Sequence, residues 1–132
     1  MSEKLPKNQK LKRKKIIEEL FKSGNTIKSF PLILVYIETD LPDSTSIQVG
    51  FSVPKRNHKL AVTRNRLKRL LRESYRKKKE EFKVENCSYA FMFIYVGKDR
   101  DSLEHINHVM NKIIAKFNVA ILKNGEVSTK TT

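Results

Sequence analysis

Basic residues recur every four positions in the middle of the chain, and this spacing suits the binding of a phosphate backbone. Arg64, Lys68, Arg72 and Arg76 are spaced at i, i+4, so a helix would place them along one side while the neighbouring leucines face a core. Between residues 55 and 79 there are 12 lysines or arginines and one acid. Because like charges at this spacing destabilise an isolated helix, the segment predicts a helix that is neutralised by a polyanion.

The charge of the whole chain supports the same interpretation. Its formal net charge is +14 and its pI is about 10.0. A basic protein of this size most often binds RNA or DNA, and less often an anionic membrane or an acidic protein. A solvated surface is the ordinary explanation of a charge run, but it fits runs of mixed sign better than this one.

Side chains that could catalyse a reaction are sparse. His105 and His108 are three residues apart with only Glu104 as a supporting ligand, so we predict no metal site. Asp99, Asp101 and Glu104 could mimic the carboxylate cluster of a nuclease, but helix capping explains these acids better. The four glycines are isolated, which excludes a glycine-rich phosphate loop. We therefore predict no catalytic residue and a binding function.

The length of 132 residues fits one domain with a real core. Cys87 is the only cysteine, which excludes disulfides and cysteine-based zinc sites within one chain. No apolar run approaches the roughly 20 residues needed to span a bilayer. Because residues 1–15 also lack the apolar core of a signal peptide, we expect a cytoplasmic protein.

Hydrophobic periodicity predicts an α/β (α+β) two-layer sandwich with the order α-β-β-α-β-α. The predicted elements are a helix from residue 10 to a stop at 23–25, strands at 32–38 and 47–53, the basic helix at 59–81, a strand at 89–96, and a last helix that is capped by Asp101 and closed by Gly125. The continuous apolar run at 89–96 predicts a central strand covered on both faces. We predict a flexible basic arm at 1–9, a single RNA-binding domain at 10–124 and a disordered tail at 125–132.

Aromatic residues on or near the strands suggest a second binding surface. Burial in the core is the more common role for each ring. Alternation along a strand exposes some of them, however, and rings on an open sheet face bordered by basic residues could stack with single-stranded bases. The candidates are Phe21, Phe30, Tyr36, Phe51, Phe91, Phe93 and Tyr95.

Two segments together closely resemble the signature of the bacterial ribonuclease P protein subunit. They are Val49-Gly50-Phe51-Ser52-Val53-Pro54-Lys55-Arg56 and Ala61-Val62-Thr63-Arg64-Asn65-Arg66-Leu67-Lys68-Arg69-Leu70-Leu71-Arg72-Glu73. The Arg-Asn-Arg motif within the second segment is specific. The resemblance extends from about residue 10 to residue 122, because Leu11, Phe21 and Gly24 suit the first helix of the family.

The resemblance implies a protein that joins a catalytic RNA to remove the 5′ leader from precursor tRNA. In this family the RNA performs the hydrolysis with magnesium ions, so the protein is expected to hold no cofactor and to improve substrate affinity. The family fold has a small mixed sheet with a left-handed β-α-β crossover through the basic helix, like domain 2 of ribosomal protein S5. General rules alone would favour a right-handed crossover if the two strands are parallel.

The resemblance also implies which residues bind RNA. The family's basic helix faces the catalytic RNA, which carries over to Arg64, Asn65, Arg66, Lys68, Arg69 and Arg72. The surrounding charge run adds Lys55, Arg56, Lys59 and Arg76. In the family a cleft between the first helix and the sheet binds the leader, which carries over to Phe21 and to Val35 or Tyr36.

Two positions depart from the family pattern, and two other functions stay open. The link Asn57-His58-Lys59-Leu60 is one residue longer than the usual glycine-containing link, so we expect a different loop before the basic helix. Ile17 stands where an aromatic residue is common, which predicts weaker base stacking in the cleft. The alternatives are a non-catalytic ribosomal or general RNA-binding protein, and a self-sufficient metal-dependent nuclease, which the missing carboxylate set disfavours.

Overall fold

A computed structural model describes residues 6–41, 45–84, 87–99 and 101–131 of the chain. Three α-helices and four β-strands follow one another, with short 3-10 turns at Lys7–Gln9 and Lys79–Glu81. The elements are α1 (Lys14–Ser23), β1 (Asn25–Ser29), β2 (Leu32–Glu38), β3 (Ile47–Ser52), α2 (Ala61–Lys78), β4 (Tyr89–Tyr95) and α3 (Leu103–Thr131). None of the helices in these described ranges is both long and apolar enough to cross a membrane.

The strands form one mixed sheet in the order β1-β2-β4-β3. The pairs β1/β2 and β2/β4 are antiparallel, whereas β3 and β4 are parallel and are connected through α2. The last strand in the chain, β4, thus lies between two earlier strands, and six of its seven residues are buried. This confirms the central strand predicted from its continuous apolar sequence. The hand of the β3-α2-β4 connection stays a prediction.

The sheet has two different faces. On the aromatic face, Phe91 and Phe93 of β4 pack with buried residues of α2 and α3. On the α1 face, Ala90 and Met92 of the same strand pack with the short helix α1. The sheet and the two long helices therefore make the predicted two-layer core, and α1 adds a partial cover to the other face.

The sequence prediction missed the strand β1. Asn25–Ser29 pairs with β2 in a hairpin whose turn contains a cis peptide bond between Phe30 and Pro31. Only Ile27 of this strand is buried. A five-residue edge strand with one core side chain carries too little alternation to be distinguished from a loop.

The ends of the helices differ from the prediction. The basic helix α2 was predicted at 59–81 and spans Ala61–Lys78. The helix α1 begins at Lys14 instead of residue 10, because Leu11 instead donates its backbone N–H to the carbonyl of Val49, 3.0 Å away. The cap of α3 is Ser102, whose Oγ accepts the backbone N–H of His105, where the sequence predicted Asp101. The helix α3 then runs through Gly125 to residue 131, past its predicted end. A glycine inside a helix costs about 1 kcal/mol relative to alanine, which a long helix can absorb.

The segment before α1 makes specific contacts with the sheet. The backbone carbonyl of Asn8 accepts a hydrogen bond from the side-chain amide of Gln48. The side-chain amide of Asn8 donates to Thr45 Oγ1. Lys79 donates to Gln9 Oε1 at 2.7 Å, and Lys10 forms an isolated parallel bridge with β3. Residues 7–9, which were predicted to belong to a flexible arm, therefore form a 3-10 turn held against β3.

Candidate nucleic-acid interface

The helix α2 is fixed in place by one apolar side. Leu67, Leu71 and Tyr75 are almost fully buried against the aromatic face, at 1%, 0% and 1% exposure. Burial raises the pKa of Tyr75 far above its ordinary value, so the hydroxyl stays neutral. The helix cannot rotate without exposing these side chains, and its basic side is therefore held outward.

The predicted RNA contacts divide into two groups by exposure. Of the predicted contacts on α2, the exposed row consists of Asn65, Arg66 and Arg69. The i, i+4 series from which the ladder was predicted is only partly exposed, and it consists of Arg64, Lys68, Arg72 and Arg76. The three predicted contacts that precede the helix, Lys55, Arg56 and Lys59, are exposed. The outward row is therefore offset by one to two residues from the predicted one.

Arg64 is bound to the loop that precedes α2. Its Nη1 donates to the backbone carbonyls of His58, at 2.9 Å, and Lys59, at 2.8 Å. An arginine has five N–H donors, so part of the guanidinium can still meet a phosphate. Its position is nevertheless set by the loop, and this contact was not visible in the spacing of the basic residues.

The loop itself is anchored at the end of β4. The imidazole Nε2 of His58 lies 2.8 Å from the carbonyl of Gly97, and Asn57 Nδ2 donates to the carbonyl of Val96. His58 is 7% exposed and packs near the ring of Tyr95. These two residues belong to the link Asn57-His58-Lys59-Leu60, for which the sequence predicted a different loop. The link is thus held against the end of β4, and the loop presents Lys55 and Arg56 to solvent.

Two basic residues near the end of α2 share an acid. Glu73 Oε1 accepts from Arg76 at 2.9 Å and lies 3.6 Å from Lys77 Nζ. The hydrogen bond from Arg76 is the main reason that the pKa of Glu73 is lowered. The positive charge of α2 is therefore reduced near residues 73–77 and is strongest nearer its beginning.

Arg72 lies over an aromatic ring. Its guanidinium carbon is 5.8 Å from the centroid of the Phe51 ring, within the range of a cation–π contact. The Phe51 ring is itself stacked with Phe93, with centroids 5.9 Å apart and an angle of 13° between the planes. This arrangement holds the guanidinium plane next to the edge of β3.

The three predicted cleft residues do not share one face of the sheet. Phe21 projects from α1 and is 56% exposed. Val35 is buried on the α1 face, whereas Tyr36 packs on the aromatic face, 5.0 Å from the centroid of the Phe117 ring. Adjacent residues of a strand point to opposite faces, so Tyr36 is separated from Phe21 and Val35 by the sheet itself.

The predicted aromatic stacking platform on the open sheet face is not present among the described residues. Of the candidate rings, those of β2, β3 and β4 all belong to or pack against the aromatic core. The two exposed rings, Phe21 at 56% and Phe30 at 76%, lie outside the strands. The α1 face instead offers partly buried aliphatic side chains, namely Ile17, Ile33, Ile37 and Ile94.

Comparisons with known proteins agree on one family. A family model described as Ribonuclease P matches residues 5–118. A ribonuclease P protein component from Chlorobium phaeobacteroides is 44% identical over 80 residues, which cover 58% of this chain and 55% of that protein. Another, from a Thermoanaerobacter species, is 30% identical over 108 residues, covering 81% of this chain and 87% of that protein. The match to the Chlorobium protein thus spans about half of its length.

Solved structures give the same fold. A Staphylococcus aureus RNase P protein superposes with a TM-score of 0.67 at 17% identity, covering 83% of this chain and 94% of that one. The Thermotoga maritima RNase P protein superposes with a TM-score of 0.66 at 18% identity, covering 80% and 96%.

Proposed function

Because the chain belongs to the ribonuclease P protein family, we propose that it is the protein subunit of a ribonuclease P and assists a catalytic RNA in removing the 5′ leader of precursor tRNA. The observation that carries this proposal is the exposed row at Asn65, Arg66 and Arg69, on a helix whose opposite side is locked into the core. Such a rigid row suits the backbone of a folded RNA, since phosphates can be met without ordering a flexible segment.

In this proposal the catalytic RNA binds the α2 side of the molecule. The contacts would come from the exposed row of α2, from Lys55, Arg56 and Lys59 in the preceding loop, and from the partly exposed series Arg64, Lys68, Arg72 and Arg76. The magnesium ions and the hydrolysis would belong to the RNA. The protein would supply positive charge and position, which is consistent with its lack of a convincing catalytic set in the sequence.

The leader would bind on the α1 face. Phe21 is an exposed ring on α1, and Val35 lies on the sheet beneath the same helix. Base stacking on one aromatic ring contributes about 1–3 kcal/mol. Tyr36 takes no part in this proposal, because its ring is buried on the aromatic face.

A reconstitution assay tests the proposal. We expect the full chain to lower the concentration of precursor tRNA, or of magnesium, that a cognate catalytic RNA needs for 5′ cleavage. Replacing Arg66 and Arg69 together by Ala should weaken binding to the catalytic RNA. The slope of log K against log salt should also flatten by about 0.7–0.9 for each lost phosphate contact.

The control is Lys112→Ala, which removes one exposed charge from α3. We expect this variant to bind and to stimulate cleavage as the unchanged chain does. A double variant with an unchanged slope, or a chain that gives no stimulation at moderate salt, would contradict the proposal.

The alternative of a general RNA-binding protein predicts a different result in the same assay. Such a protein would bind leader-bearing and mature tRNA equally well when the catalytic RNA is present. The family membership of the chain does not favour this alternative.

A further inference from the structure

A basic notch lies where the N-terminal segment, the edge of β3 and the helix α2 meet. Its volume is about 430 Å³. Four cationic side chains border it, and Gly50 and Phe51 of β3 form part of its floor; the cations are Lys10, Lys12, Lys68 and Arg72. Because these residues come from three separate elements, only the folded chain brings them together.

The path of the N-terminal segment creates the notch. Lys10 pairs with Val49 in a single isolated bridge, and Leu11 then turns away to bury its side chain on the α1 face. The edge of β3 beyond this bridge, at Gly50 and Phe51, therefore borders the notch. A Cβ atom at Gly50 would lie 2.9 Å from Met92 Cε of β4 and 3.7 Å from Leu11 Cβ, so this position of β3 lies against the α1 face.

The positive charge of the notch favours the binding of an anion. None of the described residues that line it is a carboxylate, and Lys10, Lys68 and Arg72 are only partly exposed. Cations that are confined together and partly shielded from water repel one another, and a bound phosphate would offset this repulsion. A volume of about 430 Å³ exceeds the needs of one phosphate and falls in the usual range for small-molecule ligands of roughly 300–1,000 Å³.

The aromatic part of the notch favours a nucleotide over a simple anion. The guanidinium carbon of Arg72 lies 5.8 Å from the centroid of the partly exposed Phe51 ring. Aromatic rings and guanidinium planes both stack with nucleic-acid bases. We infer that the notch binds one nucleotide of single-stranded RNA, with its phosphate on the lysines and its base on the guanidinium of Arg72, which lies over Phe51. This inference rests on the proposed RNA-binding function and adds a specific site at the edge of β3.

Titrations of the full chain test the site with three probes. Adenosine 5′-monophosphate, inorganic phosphate and adenosine are added separately, and backbone amide signals are followed by NMR. We expect the nucleotide to bind at least about 5-fold more tightly than phosphate, as a stacking contribution of about 1 kcal/mol would give. The largest shifts should include the amides of Gly50 and Phe51.

Two variants separate the phosphate and base contributions. Lys10→Gln with Lys12→Gln should weaken the binding of both nucleotide and phosphate. Phe51→Leu should remove the preference for the nucleotide and leave phosphate binding unchanged, provided that its melting curve confirms a folded chain. Lys112→Gln, which removes one exposed charge from α3, is the control for the lysine variants and should bind all three probes as the unchanged chain does.

Some outcomes would overturn the inference. They are equal affinity for nucleotide and phosphate, or shifts confined to residues 65–69 and absent from Gly50 and Phe51. The reconstitution assay is run in parallel with the unchanged chain. Normal stimulation of cleavage without nucleotide binding in the notch refutes the notch alone, whereas absent stimulation refutes the proposed function.

Discussion

The two faces of the sheet are built from alternate residues of the same strands, yet they differ in packing. The aromatic face holds fully buried rings, such as Phe91 and Phe93, under α2 and α3. The α1 face has aliphatic side chains under a helix of ten residues, and several of them are only partly buried. The aromatic face therefore supplies most of the core, whereas several side chains of the α1 face stay partly exposed.

Truncating β4 at neighbouring positions gives the largest expected contrast. Phe93→Ala should lower the free energy of unfolding by about 3–5 kcal/mol, because a fully buried ring leaves a cavity. Met92→Ala, one residue away on the α1 face, should cost about 2 kcal/mol, since its surroundings are less enclosed. Urea unfolding of both variants measures the difference. Equal losses would show that the two faces contribute equally to stability.

The stability of the aromatic face is also expected to depend on pH in the alkaline range. Burial is the main cause that raises the pKa of Tyr89 and of Tyr95 to about 12, from an ordinary 10.0, and both rings lie on the aromatic face. Their neutral forms stabilise the folded state fully below pH 10, and this stability is lost as the pH rises toward 12. We expect the free energy of unfolding to fall across that window.

Tyr95→Phe checks the assignment of the alkaline effect. This variant should show a shallower loss of stability above pH 10, measured by chemical unfolding at a series of pH values. A tyrosine absorbance titration with its midpoint near pH 10 in the folded chain would contradict the expectation.

On the α1 face, Phe21→Ala should separate binding from stability. The side chain is 56% exposed, so the free energy of unfolding should change by no more than about 0.5 kcal/mol. In a complex with the catalytic RNA, affinity for leader-bearing precursor should fall by up to about 1–3 kcal/mol through lost stacking, with mature tRNA unaffected. An equal loss for both substrates would place the leader elsewhere.

Arg64→Ala is expected to give the smallest change in free energy of these variants. Arg64 lies on α2, the helix that covers the aromatic face, and its side chain contacts the preceding loop. It removes two hydrogen bonds to the loop carbonyls, worth about 1 kcal/mol together at this partly exposed site. Amide exchange in residues 55–60 should rise, whereas Arg66→Ala, the matched control, should leave it unchanged. Unchanged exchange in both variants would mean that Arg64 does not hold the loop.

Strong local patterns were readable from the sequence. The continuous apolar run that became β4, and the leucines that fix α2, required no knowledge of their partners. The signature around the Arg-Asn-Arg motif identified the family, which the comparisons confirm.

Features that depend on distant partners were not readable. The hairpin strand β1 is defined by its pairing with β2, and its sequence alone resembles a loop. Arg64 donates hydrogen bonds to carbonyls of the loop that precedes α2. That loop is held in place by the contact of His58 with the carbonyl of Gly97, which is 39 residues away in the sequence. Spacing also overestimated the exposure of the i, i+4 series, because the side of α2 that is buried is set by its tertiary packing.

The position of β4 has a consequence for biosynthesis. This strand completes the sheet by entering between β2 and β3, both of which are translated earlier. During translation, β2 and β3 therefore cannot be joined in the sheet until β4 has been synthesised. The helices α1 and α2 depend on local hydrogen bonds and can begin to form earlier. Pairings this remote along the chain slow the search for the native topology. We expect the nascent protein to acquire its tertiary structure only after residue 95 has left the exit tunnel.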